Sequence, residues 1–138
     1  MDKVCLGVCL GGLLLISALA LSCGSSASEQ GLGRLQSIMV APMTADAQNY
    51  PGGQVPFQAT GIYVNPPHTV IPQSAQWGAC QQNAPTSDVT VTSAGVARCA
   101  AGAAGTYTVF AYDMTNCTSI TSCGGGCTVV GTAQLTCP

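Results

Sequence analysis

A chain of 138 residues is long enough for one domain once a leader is set aside, and only 6% of it is charged. With Lys+Arg at 3 and Asp+Glu at 5, the net charge is −2, and there is no basic patch to hold a nucleic acid. Removing Met1–Ser22 also removes Asp2 and Lys3, which leaves Arg34 and Arg98 against Glu29, Asp46, Asp88 and Asp113. A surface made largely of Ser, Thr, Gly, Ala and Asn fits a place outside the cytoplasm.

The first 22 residues read as a targeting segment. Lys3 precedes an apolar run from Val4 to Leu21, broken only by glycines and Ser17, and Cys23 follows directly. This run, Cys23 and the polar Gly24-Ser25-Ser26-Ala27-Ser28 resemble a bacterial lipoprotein signal, in which the cysteine becomes the lipidated first residue. The resemblance implies lipidation at Cys23, a flexible tether over 23–34, and a membrane partner reached through the lipid. Two alternatives are cleavage after Ala27, behind the small pair Ser25 and Ala27, and an uncleaved membrane helix. All three put residues 35–138 outside the cytoplasm, lipid-anchored in the cell envelope or secreted.

The rest of the chain predicts short strands. Leu35–Pro42 is the first, closed by Pro42, and Pro51-Gly52-Gly53 marks a turn. Gln54–Val64 follows, with Val55, Phe57 and Ala59 on one face. Pro56 lies on the other, where its missing N–H calls for an edge or bulge. Thr69–Ile71 is a short edge strand beyond Asn65-Pro66-Pro67-His68, and Ser74–Cys80 carries the only tryptophan, Trp77. Val89–Thr92 and Gly95–Cys99 flank a Ser93-Ala94-Gly95 turn. Gly105–Asp113 is the clearest strand, because Tyr107, Val109 and Ala111 alternate with Thr106, Thr108 and Phe110. Met114–Gly126 reads as a long loop and Cys127–Cys137 as the last strand. No helix is expected after residue 22. The expected core is Trp77 with Phe57, Tyr107, Val109 and Leu135.

Nine cysteines are many for this length. Cys5, Cys9 and Cys23 belong to the leader region, and the even set Cys80, Cys99, Cys117, Cys123, Cys127 and Cys137 reads as a disulfide framework. Cys80 and Cys99 end facing strands and are expected to pair, closing a loop near 20 residues at about 3 kcal/mol. Cys137 falls at the same pole, away from Cys117, so local pairing fails unless the long loop folds back. Close thiolates at Cys117, Cys123 and Cys127 could instead hold zinc or act in redox chemistry, which makes a secreted metal-binding or redox protein the alternative reading.

Seven or eight short strands in residues 35–138 fit an all-β, immunoglobulin-like β-sandwich stapled by disulfides. Several pieces, in order, resemble the bacterial immunoglobulin-like domain of group two, the Big family. They are Leu35-Gln36-Ser37-Ile38 with Val40-Ala41-Pro42, Gly53-Gln54-Val55 through Phe57-Gln58-Ala59-Thr60-Gly61, Ala75-Gln76-Trp77, Ser93-Ala94-Gly95-Val96, and Ala104-Gly105-Thr106-Tyr107-Thr108-Val109. The resemblance implies a part in a surface adhesin or another cell-envelope protein.

Nothing in the sequence assembles a catalytic set. His68 is the single histidine, the acidic residues lie in separate segments, and there is no nucleophile elbow, phosphate loop or HExxH stretch. The reading is therefore a non-catalytic domain without a cofactor or metal, with a role in adhesion, binding or spacing. Its candidate partner is a surface protein or a glycan. Strand alternation turns Phe110 and Tyr112 outward beside Gln134, which makes these three the candidate binding face; the alternative is that the two rings only cover the sheet, pair across strands or meet the long loop 114–126.

Overall fold

The computed structural model describes residues 33–65, 69–70 and 75–138. The chain is all-β. Its strands, in order, are β1 (Leu35–Ala41), β2 (Thr44–Asp46), β3 (Gln54–Pro56), β4 (Gln58–Tyr63), β5 (Thr69–Val70), β6 (Ala75–Gln81), β7 (Ala84–Pro85), β8 (Val89–Val91), β9 (Val96–Cys99), β10 (Gly105–Asp113), β11 (Cys117–Ser122), β12 (Gly125–Cys127) and β13 (Val130–Cys137). The helical elements among the described residues are short 3-10 turns at Ala47–Asn49, Pro51–Gly53 and Met114–Asn116.

Five strands form the largest sheet, in the order β2-β13-β10-β6-β7. Its centre is antiparallel: Tyr107 stands opposite Leu135, and Val109 opposite both Ala133 and Ala79. β2 joins the edge in parallel, with Thr44 beside Gln134 and Asp46 beside Thr136. Two smaller sheets, β1-β4-β5 and β3-β9-β8, supply the other side of the core. The predicted second strand is split between them. Phe57 leaves both ladders and donates its N–H to the Gly95 carbonyl instead, at 2.9 Å. Pro56 sits on β3, at the edge of its sheet, where its lack of an N–H costs nothing.

Alternation sets the core. Tyr107, Val109 and Ala111 of β10 point inward with Ala133 and Leu135 of β13, and all are buried. They meet Ile38, Val40, Val55, Ala59 and Ala97 from the smaller sheets, and Phe57 from the break between β3 and β4, in one cluster. Trp77 differs from expectation, because it is only partly buried at the margin of that cluster. Its ring lies over the Ser93–Gly95 turn, so close that a Cβ at Gly95 would meet both the ring and the Phe57 carbonyl. Gly95 also has φ +79°, so glycine serves this turn twice over.

The segment predicted as a long loop is a hairpin. After the 3-10 turn at Met114–Asn116, β11 and β12 pair with Cys117 opposite Cys127 and Ser122 opposite Gly125. Asp113 starts this excursion: although buried, its carboxylate accepts from the Thr115 N–H and hydroxyl, each at 2.9 Å. Thr128 closes the hairpin base, its N–H donating to the Asn116 carbonyl at 2.9 Å.

The disulfides correct the expected Cys80–Cys99 pairing. Cys80 bonds Cys123, Cys99 bonds Cys137, and Cys117 bonds Cys127. The reason is strand parity. Cys99 lies opposite Val89, a core residue, and Cys137 follows the inward Leu135 by two. Both therefore face the space between the sheets. Cys80 stands opposite Thr108, one step out of phase with inward Ala79, so it faces away from Cys99. The hairpin folds back over that outer face and brings Cys123 to it.

Candidate functional site

The outer face of the five-stranded sheet holds the three residues proposed from sequence, and the fold divides it in two. Phe110 and Tyr112 point outward as alternation requires, and of the two readings the structure has them covered by the 114–126 segment, not open to solvent. They are 7% and 8% exposed, in a second cluster with Cys80 that Cys117, Cys123, Cys127 and Val130 cover. The two rings stack with centroids 5.8 Å apart. Gly78, opposite Phe110, leaves room for this, since a Cβ there would run into the Phe110 ring. The aromatic pair is thus the floor of a small outer core beneath the hairpin, and it is not an open contact face.

Gln134 remains on the uncovered half. Its side-chain amide donates to the Thr108 hydroxyl at 3.3 Å, and the residue is exposed. Thr106, Thr132 and Thr136 are exposed around it. At the sheet edge this half ends in a polar groove of roughly 530 Å³, lined by Thr44, Asp46, Asn49, Tyr50, Gln134 and Thr136, with Ala45 between. Parallel pairing of β2 with β13 builds the groove. Leu135 and Ala45 turn to the core, so Thr44, Asp46, Gln134 and Thr136 turn out together. The Gln134 N–H holds the start of β2 through the Met43 carbonyl at 2.9 Å. Asp46 Oδ1 accepts from the Gln48 N–H at 2.9 Å and thereby starts the 3-10 turn that carries Asn49. Tyr50 is half-buried, its ring leaning on the main core.

The sequence reading missed Thr44, Asp46, Asn49 and Tyr50, because Met43–Gly53 shows no periodicity. The available signal was parity along β13: Thr132, Gln134 and Thr136 must share the face opposite Leu135.

At the other end of β10, the Tyr107 hydroxyl donates to Asp88 Oδ2 at 3.2 Å and lies 3.3 Å from the Ala104 carbonyl. Burial, followed by the negative charge of Asp88, pushes the Tyr107 phenol above its ordinary value. This tyrosine ties the Ala104 corner to the segment before β8 and offers no reactive phenolate at neutral pH.

All six cysteines of the predicted framework are in disulfides, so the thiolates that zinc or redox chemistry would use at Cys117, Cys123 and Cys127 are consumed. Cys23 and His68 lie outside the described residues. Compared with known proteins, the chain matches no protein-family model and no curated protein.

Proposed function

We propose that this chain is an exported, non-catalytic immunoglobulin-like domain, tethered to the cell envelope by a lipid on Cys23, that binds or spaces at the cell surface. The observation that carries the proposal is the disulfide set. Three bridges use every cysteine after Cys23, and such bridges persist in oxidising compartments outside the cytoplasm. The immunoglobulin-like reading is supported by the sheet order β2-β13-β10-β6-β7, opposed by β1-β4 and β3-β9-β8. It is also supported by the Tyr107 hydroxyl reaching back three residues to Ala104, which resembles the tyrosine corner of such domains. The threonine-rich outer face, with the Asp46 carboxylate at its edge, suits contact with an uncharged partner.

The test is to express the full chain with its leader and analyse it from the membrane fraction. Mass spectrometry is expected to find an acylated N-terminal Cys23, and thiol titration under denaturing conditions to find none of the six downstream cysteines free. A mature chain beginning at Ser28 would overturn the anchor. Free or metal-bound thiols would favour the metal-binding or redox reading.

A further inference from the structure

We propose that the groove between β2 and β13 is a binding site for an uncharged sugar residue of a glycan. The inference rests on the binding role just proposed and gives it a place and a ligand chemistry. The first ground is the donor and acceptor set. Thr44 and Thr136 offer hydroxyls, Asn49 and Gln134 offer amides, and Asp46 offers a carboxylate, all on the groove wall. A sugar presents alternating hydroxyls that both donate and accept. Hydroxyl and amide side chains match both roles, and one carboxylate oxygen accepts strongly from a sugar hydroxyl. Asp46 Oδ1 is engaged with the Gln48 N–H, which orients the carboxylate in the groove wall.

The second ground is the ring. Tyr50 is the one aromatic of the lining among the described residues, and it packs against the main core. The negative face of an aromatic ring attracts the weakly positive C–H face of a pyranose. The third ground is charge and size. Neither Arg34 nor Arg98 lines the groove, so among the described residues an anion would meet the Asp46 carboxylate with no countercharge in the lining. A volume of roughly 530 Å³ falls within the usual range for small-ligand sites, about 300–1,000 Å³. One wall of the groove is firmly held. β13 is locked along the length of β10, and the Cys99–Cys137 bridge pins its end one residue beyond Thr136. Little ordering of that wall is then left to oppose binding.

The experiment titrates the full-length chain, held in a mild detergent, by isothermal calorimetry. The probes are the uncharged tetrasaccharides cellotetraose, chitotetraose and maltotetraose, with tetragalacturonate as an anion of similar length. At least one uncharged probe is expected to bind saturably, and tetragalacturonate is not. Gln134→Ala and Thr136→Val both alter solvent-facing side chains, so the melting temperature should hold while affinity falls about tenfold for Gln134→Ala. Neutral-sugar binding that survives both substitutions would move the ligand elsewhere and overturn this assignment, while leaving a binding role intact. Preference for tetragalacturonate, or no saturable binding of any uncharged probe, would overturn it as well. The acylation and thiol measurements on Cys23 and the six bridged cysteines judge the proposed export independently of these outcomes.

Discussion

The molecule has two cores, and they are held by different means. The main core lies between the sheets and draws Leu35, Val55, Phe57, Tyr107, Val109 and Leu135 from strands far apart in sequence. The outer core beneath the hairpin consists of Phe110, Tyr112 and Cys80, covered mainly by three half-buried cysteines and Val130. The main core follows from hydrophobic burial over many strands. The hairpin cannot rely on burial, because Cys117–Cys127 is mostly Thr, Ser and Gly, and an isolated two-stranded hairpin is marginal in water. Bridges from Cys117 to Cys127 and from Cys123 to Cys80 take over. Where apolar area is short, covalent links do the holding, which is the usual course for small exported domains.

The sharpest way to break this contrast is in the main core. Leu135 is fully buried, so Leu135→Ala should cost about 3–5 kcal/mol in a denaturant titration, through lost burial and the cavity left behind. A loss under about 1 kcal/mol would mean that the strand is not held as described.

Next comes the staple of the outer core. Cys80–Cys123 spans 43 residues, for which chain entropy gives about 4 kcal/mol as an upper figure. Replacing both cysteines with serine should lower stability by about 2–4 kcal/mol. It should also expose Phe110 and Tyr112, read as new binding of a hydrophobic dye, while far-ultraviolet circular dichroism keeps its β signature. If instead the whole sheet signal disappears, the hairpin and the main core unfold as one unit and the contrast fails.

The smallest effect sharpens the comparison at the opposite end of β10. Tyr107→Phe removes the hydroxyl bonded to Asp88 and should lower the melting temperature slightly at neutral pH. The wild-type phenol is raised in the folded state by burial and by Asp88. The folded chain therefore keeps a proton that the unfolded chain loses, and this contribution is complete below pH about 10 and falls as pH rises through the folded pKa. Melting curves taken at increasing alkalinity should show wild type and Tyr107→Phe converging above that point. Curves that stay parallel would remove the burial-based shift.

Much of the main core was legible because strand alternation is a local rule. Once Tyr107, Val109 and Ala111 were read as inward, the faces of β10 followed, and Leu135 took its place in the same core. The turn at Ser93–Gly95 and the edge position of Pro56 were legible for the same kind of reason, since each depends on one residue's backbone chemistry. Parity could also have ruled out Cys80–Cys99, because Ala79 inward means Cys80 outward.

The sequence by itself determined an all-β chain with a cysteine framework, the inward and outward faces of β10 and β13, and the edge and turn positions of Pro56 and Gly95. Those features depend on spacings of one or two residues, which the backbone enforces wherever the strand goes. Only the tertiary structure decided that 117–127 folds back as a hairpin, that Cys123 meets Cys80, that Phe110 and Tyr112 are roofed over, and that β2 joins β13 in parallel to make the polar groove. Each of these is set by how one sheet edge or face finds its cover, in the Cys80–Cys123 and β2–β13 cases across tens of residues, and no local period in Met43–Gly53 or Met114–Gly126 records it.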